Sequence, residues 1–233
     1  MKVMNQVNIP QWALDTGKTR GGFESLNPAA TALIVVDLQN AFLAPGEPLA
    51  NQHARDIVPK VNVIARAVRE RGGEVVYLRH TVSDDPRFRL TEFQARMVPR
   101  TSDGDLQLRA GTFGHQLYTG LDVLAGDLTV DKHRYSAFMP NSSDLDSILR
   151  KRGIDTVIIT GTITNVCCES NARDANMLGY KVVFVSDATA AFTDEEHNAT
   201  LLSMAAVFAE VRDAAGVVQM IESAPAAPRC AAN

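Results

Sequence analysis

Four side chains able to do acid–base or nucleophilic chemistry lie far apart in this chain. Asp37 closes the run Thr31–Asp37 (TALIVVD), and Lys132 closes Asp127–Lys132 (DLTVDK). Cys167 and Cys168 stand side by side in GTITNVCCES (Gly161–Ser170), a few residues past the apolar run Asp155–Gly161 (DTVIITG). Such short, β-branched runs suit strands buried on both faces of a parallel sheet. In open α/β sheets, ligands bind beyond the carboxyl ends of the strands. The topology therefore sends all four residues to one edge. A carboxylate after an apolar run is costly to bury unless it is paired. Lys132 would be its partner, and Asp37 would in turn compensate a half-buried Lys132.

The two cysteines are separated by the face each occupies. The spacing predicts a helix from about Thr164 to Leu178, stopped by Gly179. Residues at i, i+4 and i+7 share a face. Cys168 then aligns with Ala172 and Ala175 and reads as a small core residue. Cys167 aligns with Asn171 and Asp174 on the polar side. In the first helical turn, with a lysine nearby, its thiol is expected to titrate below the ordinary cysteine value. A thiolate is a strong nucleophile. A carboxylate beside it can take the thiol proton and pass it to a leaving amine. Backbone N–H groups at the turn can hold an oxyanion. That set suits acyl transfer from an amide to sulfur, followed by hydrolysis of the thioester.

The elements that must position these groups alternate between strand and helix. Glu74–His80 (EVVYLRH), Lys181–Asp187 (KVVFVSD) and Val207–Arg212 (VFAEVR) are the remaining expected strands. Helices are expected with Ile57, Val61, Ile64, Ala65 and Val68 on one face, ending at Gly72–Gly73, then from Asn141 to Arg152, after the capping box of Thr193 and Glu196, and up to about Glu222. This rhythm implies an α/β single-domain, Rossmann-like three-layer sandwich, a mostly parallel six-stranded sheet with helices on both faces. The polar stretch 81–126 breaks the rhythm and reads as an excursion over one end of the sheet. His80, Arg87, Arg89 and Arg96 are its candidates for meeting an anionic substrate, with solvated loop charges as the alternative. Residues 1–26 read as an N-terminal extension, 27–222 as the domain and 223–233 as a disordered tail.

Bulk properties exclude several classes. The 233 residues carry a formal net charge of −4, without the basic footprint of a nucleic-acid binder. No apolar run reaches the roughly 18 residues of a membrane helix. The N-terminus lacks a signal-peptide core, and three cysteines make no disulfide ladder. A cytoplasmic protein is expected. No GxSxG elbow, Walker A loop or GxGxxG fingerprint occurs.

The motifs ALIVVDLQNAF (Ala32–Phe42), DKHRYSAF (Asp131–Phe138) and GTITNVCCESNARDA (Gly161–Ala175) resemble those of the isochorismatase-like cysteine hydrolases. That family includes nicotinamidases and the N-carbamoylsarcosine, ureidoacrylate and streptothricin hydrolases. The resemblance covers about Asn27 to Glu222. It implies an Asp37–Lys132–Cys167 triad, a cis peptide at Thr162–Ile163 and an oxyanion hole from the amides of Ile163 and Cys167. It also implies a pocket lined by Phe42, Tyr135 and Phe138, and a homo-oligomer, dimer or tetramer. Nicotinamidases of the family carry an Asp-x-His…His metal site after the second strand. Here LRHTVSDDPRFRL supplies only His80, so no metal and no cofactor is expected, and nicotinamide is disfavoured. The motifs lean toward the ureidoacrylate and streptothricin side, hence a small amide or ureido substrate. A vinyl-ether hydrolase of the isochorismatase kind and a non-enzymatic binding or redox-sensing module are the alternatives.

Overall fold

The computed structural model describes residues 5–20, 22–102 and 104–224. The strands are β1 (Thr31–Val36), β2 (Glu74–His80), β3 (Leu128–Lys132), β4 (Thr156–Thr162), β5 (Lys181–Ala190) and β6 (Glu210–Arg212). They form one sheet in the order β3-β2-β1-β4-β5-β6, and every pairing is parallel. Strand order reverses between β1 and β4, which makes the carboxyl end of that pair the topological switch point. All residues of the central strands β1 and β4 are buried, as their unbroken apolar and β-branched sequences require.

Helices cover both faces. On one side α4 (Val58–Glu70) and α9 (Ala214–Glu222) lay Val61, Ile64, Val68, Val217 and Ile221 against Leu33, Val35 and Tyr77. On the other, α6 (Leu145–Lys151) and α7 (Glu169–Met177) bring Leu145, Leu149, Ala172 and Ala175 to Ala32, Ile34 and Val76. The shorter α2 (Asn40–Leu43), α3 (Gln52–Asp56) and α5 (Glu92–Ala95) belong to the loops at the carboxyl edge or lead into α4. The capping box of Thr193 and Glu196 opens α8 (Asp194–Ser203) as expected.

The expected element boundaries shift at four places. Asn141 adopts φ 61°, and Ser143 donates its hydroxyl to Ala137 O (2.8 Å), so α6 begins at Leu145 rather than Asn141. The helix expected from Thr164 divides into a π-helical turn, Thr164–Cys168, and α7. A second π-helical turn, Met204–Phe208, displaces the start of β6 to Glu210. β5 continues three residues beyond Asp187, past a register shift against β4.

The N-terminal extension contains α1 (Gln11–Thr19), which packs on the second π-helical turn. Ala13 is buried there, and Arg20 donates to Ala206 O (3.1 Å). Upstream, Asn5 accepts from Ala191 N (2.9 Å), and Asn8 N donates to Asn198 Oδ1 (2.6 Å) on α8. Of the tail expected at 223–233, residues 225–233 lie outside the described residues. The excursion 81–126 folds over the carboxyl edge of the sheet. Its ties include Tyr118 N to Leu38 O (2.9 Å) and Asn40 N to Gln116 O (2.8 Å).

Candidate active site

Four strand ends build the site. Asp37 follows β1 directly, turned inward by a left-handed backbone (φ 50°). Lys132 is the last residue of β3 and His80 the last of β2, in register with it. Cys167 lies in the π-helical turn that follows β4. Lys132 is fully buried, and its Nζ lies 2.8 Å from Asp37 Oδ2 and 3.5 Å from Cys167 Sγ. The same ammonium reaches His80 Nδ1 at 3.2 Å and Arg134 O at 3.1 Å. His80 is held by Gln39: its N–H donates to Gln39 Oε1 (2.7 Å), and its carbonyl accepts from Gln39 Nε2 (3.1 Å).

Burial and charge set the protonation states. Burial raises the Asp37 carboxyl above its ordinary value, against the opposing pull of Lys132. Burial alone would lower Lys132, but Asp37 and Cys167 outweigh it and hold the ammonium charged. His80 falls well below its ordinary value through burial and then the adjoining Lys132 charge, so it is a neutral imidazole accepting from the ammonium. For Cys167 the sequence expectation is overturned. Burial pushes its thiol up, Lys132 only partly offsets this, and the Asp37 charge adds to the rise. The thiol is protonated at rest, and its proton must be taken by a neighbour. Its position in a π-helical turn ahead of α7 also removes it from the first turn of a regular helix.

The turn carrying Cys167 is fastened on several sides. Gly161 has φ 112°, and a Cβ there would lie 2.1 Å from Val36 O, so only glycine lets β4 approach β1 this closely. The following Thr162–Ile163 peptide is cis, as the resemblance implied. Val166 N and Cys168 N both donate to Ile163 O (3.1 and 3.2 Å). His197 of α8 bridges the turn to β5, its Nε2 2.9 Å from Ser186 O and its Nδ1 3.0 Å from Thr164 Oγ1. The carbonyl fixes the proton on Nε2, so Nδ1 accepts from Thr164. Asn171 of α7 donates to Cys167 O (2.7 Å) and Tyr135 O (3.1 Å) and accepts from Ala137 N (2.9 Å). Cys168 points away into the core with Ala172 and Ala175, all fully buried, as the face argument expects.

Cys167 opens into a cavity of about 160 Å³. Phe42, Tyr135 and Ile163 line it, as do His80, His133 and Arg134. Phe138 does not: it is core, tilted against Tyr180 at 5.5 Å between ring centres, and is corrected accordingly. Arg87, Arg89 and Arg96 also stay outside the lining; Arg87 pairs with Asp85 (2.7 Å), Arg96 with Glu92, and Arg89 donates to Asp84 O (3.1 Å). The strand-end argument that selects Asp37 and Lys132 applies equally to His80, which sequence reasoning named only as a candidate for meeting an anionic substrate. Asn171 and Arg134 carried no signal beyond their motif positions, and His197 lies outside the motifs.

By residue type, Asp37, His80 and Cys167 are a possible metal set, with ligand atoms within 4.8 Å of one another. The Lys132 ammonium lies 2.8, 3.2 and 3.5 Å from these same three groups. It fills the position a cation would take, so the residues do not fit a metal while Lys132 is charged.

Comparison with known proteins agrees with this architecture. The isochorismatase domain family matches residues 31–216. Nicotinamidase 3 of Arabidopsis thaliana is 33% identical over 189 residues, 80% of this chain and 86% of the relative. A ureidoacrylate amidohydrolase of Methylobacterium radiotolerans is 33% identical over 207 residues, covering 82% of this chain and 79% of its own. A cysteine hydrolase from Pseudomonas syringae pv. phaseolicola superposes with a TM-score of 0.78 at 34% identity, covering 87% of this chain and 97% of that one. Sheet order, matched span and overall similarity together place the chain in the isochorismatase family.

Proposed function

We propose that this hydrolase cleaves a C–N bond of a small amide or ureido (carbamoyl) compound through a thioester on Cys167. The observation that carries this reading is the buried contact set at the cavity floor. One ammonium, Lys132, touches both the carboxylate of Asp37 and the sulfur of Cys167. Relatives named as amidohydrolases support it.

Asp37, its proton affinity raised by burial, takes the thiol proton as Cys167 Sγ attacks the carbonyl carbon. Lys132 keeps its charge and balances first the carboxylate and then the sulfur. The amides of Ile163 and Cys167 are the donors we assign to the tetrahedral oxyanion. Asp37 returns the proton to the leaving nitrogen, the C–N bond breaks, and ammonia or an amine departs. A water deprotonated by Asp37 then attacks the thioester, and the same proton restores the thiol. A cytoplasmic homo-oligomer, dimer or tetramer, is part of the proposal. No described helix is long and apolar enough to cross a membrane.

The test is ammonia release from a panel of amide, carbamoyl and ureido compounds. Cys167→Ala should abolish it, while Cys168→Ala should retain turnover within a few-fold and lose only packing. Release that survives in Cys167→Ala would remove the thiol from the reaction, whereas no release from either protein would favour the vinyl-ether or non-enzymatic readings.

A further inference from the structure

Resting on that amidohydrolase reading, the cavity wall narrows the substrate. Six of the fifteen lining residues make an apolar wall, Phe42, Leu49, Leu90, Met97, Val98 and Leu108, and Gln94, His133 and Tyr135 line the cavity beside them. Four of them come from the excursion 81–126, so the segment that covers the sheet edge also faces the substrate. Leu49, Leu90 and Val98 pack on the main core as well, which makes the wall continuous with the protein interior. The lining contains no acidic residue. Its cationic side chain, Arg134, donates Nη1 to Phe88 O (2.9 Å) and His133 O (2.7 Å). Charges elsewhere in the excursion satisfy one another outside the cavity, as Arg109 does with Asp84 (2.6 Å) and Asp105 (2.5 Å). Below, Asp37 and Lys132 neutralise each other.

A hydrocarbon gains by leaving water at the six apolar side chains, whereas an anionic substituent would lose its hydration there, with only Arg134, whose Nη1 already serves two carbonyls, to meet it. The cavity is smaller than the roughly 300–1,000 Å³ typical of drug-sized ligand sites. We infer that the preferred substrate is a small, uncharged primary amide with a hydrocarbon acyl group, branched aliphatic or carbocyclic, selected by Leu90, Met97, Val98 and Leu108. The acyl group is the part that must stay in place while the thioester awaits water, and ammonia is small enough to leave past it. The reaction is R–CO–NH2 + H2O → R–COOH + NH3. A C–S bond replaces the C–N bond, and a C–O bond then replaces the C–S bond. The product ionises to a carboxylate, which the same apolar wall disfavours, so product release follows from the lining.

The experiment compares kcat/KM for ammonia release by the full chain. The substrates are isobutyramide and benzamide, acetamide, and the carboxylate-bearing succinamate and N-carbamoylglycine. The hydrocarbon amides should exceed both acetamide and the carboxylates by about tenfold or more, the discrimination expected for added methylenes in an apolar pocket. Met97→Asn, at a half-exposed position where folding is not at stake, should reduce the isobutyramide-to-acetamide ratio, and Leu90→Asn should reduce it further. An unchanged ratio in both variants would overturn the wall assignment. Preference for a carboxylate-bearing compound, lost in Cys167→Ala, would overturn the inference but leave the amidohydrolase reading standing. Absence of ammonia from every compound would overturn both.

Discussion

At the scale of the residue, the site turns on a cation kept dry. Lys132 has no exposed surface, and Asp37 is 1% exposed. Breaking such a pair from one side leaves a buried charge without its partner, at about 3–5 kcal/mol. Asp37→Asn and Lys132→Met should therefore each lower the urea midpoint sharply. The double variant should lose less than the sum, with a coupling of about 1–3 kcal/mol. Activity should be absent in all three, because proton transfer needs both groups. Recovery of stability without recovery of turnover would separate the pair's two contributions. Asp37, Lys132 and Cys167 were legible in the sequence because each follows a strand, and parallel topology fixes where strand ends meet. The thiol's resting state was not legible. It depends on how completely the loops enclose the sulfur, which helix-end reasoning does not address, and burial wins over the nearby positive charge.

At the scale of the element, β4 and the turn after it set the precision of the site. Gly161→Ala would drive a Cβ to 2.1 Å from Val36 O and 2.6 Å from Val36 N, at a backbone angle that alanine rarely adopts. A loss of more than about 4 kcal/mol is expected, seen as a collapse of soluble yield or of the denaturant midpoint. His197 provides a gentler test. Burial lowers its pKa from 6.5 to about 4. Between those values the unfolded chain binds more protons than the folded one. Stability is therefore fully present above about pH 6.5 and falls as pH drops toward 4, by on the order of 3 kcal/mol. Unfolding curves at pH 7 and pH 4.5 should show this slope in wild type and a shallower one in His197→Gln. Periodicity located the strands and the long helices well, since β2 matches residue for residue. It missed the two π-helical turns and the late start of α6. The start of α6 is decided by the Ser143 bond to Ala137 O and by the left-handed Asn141, which no apolar pattern records.

At the scale of the whole molecule, the sheet and its attachments act together. The switch point between β1 and β4 brings Asp37 and the Cys167 turn side by side, and β2 and β3 add His80 and Lys132 along the same edge. The N-terminal segment, read from sequence as a mere extension, is fastened to α8 and to the second π-helical turn. It thus supports the helix that carries His197. Polar composition marked 81–126 as an excursion, yet its four cavity-lining apolar residues are spaced too irregularly to announce a wall before folding brings them together.

The ammonium among Asp37, His80 and Cys167 has one more consequence. A cation built into the chain is synthesised with the fold, so it is neither recruited from the cell nor removable from the purified protein. Prolonged dialysis against EDTA should leave the specific activity where it began, and added zinc or iron should not raise it. Nutritional limits on metals would then leave the output of this enzyme untouched.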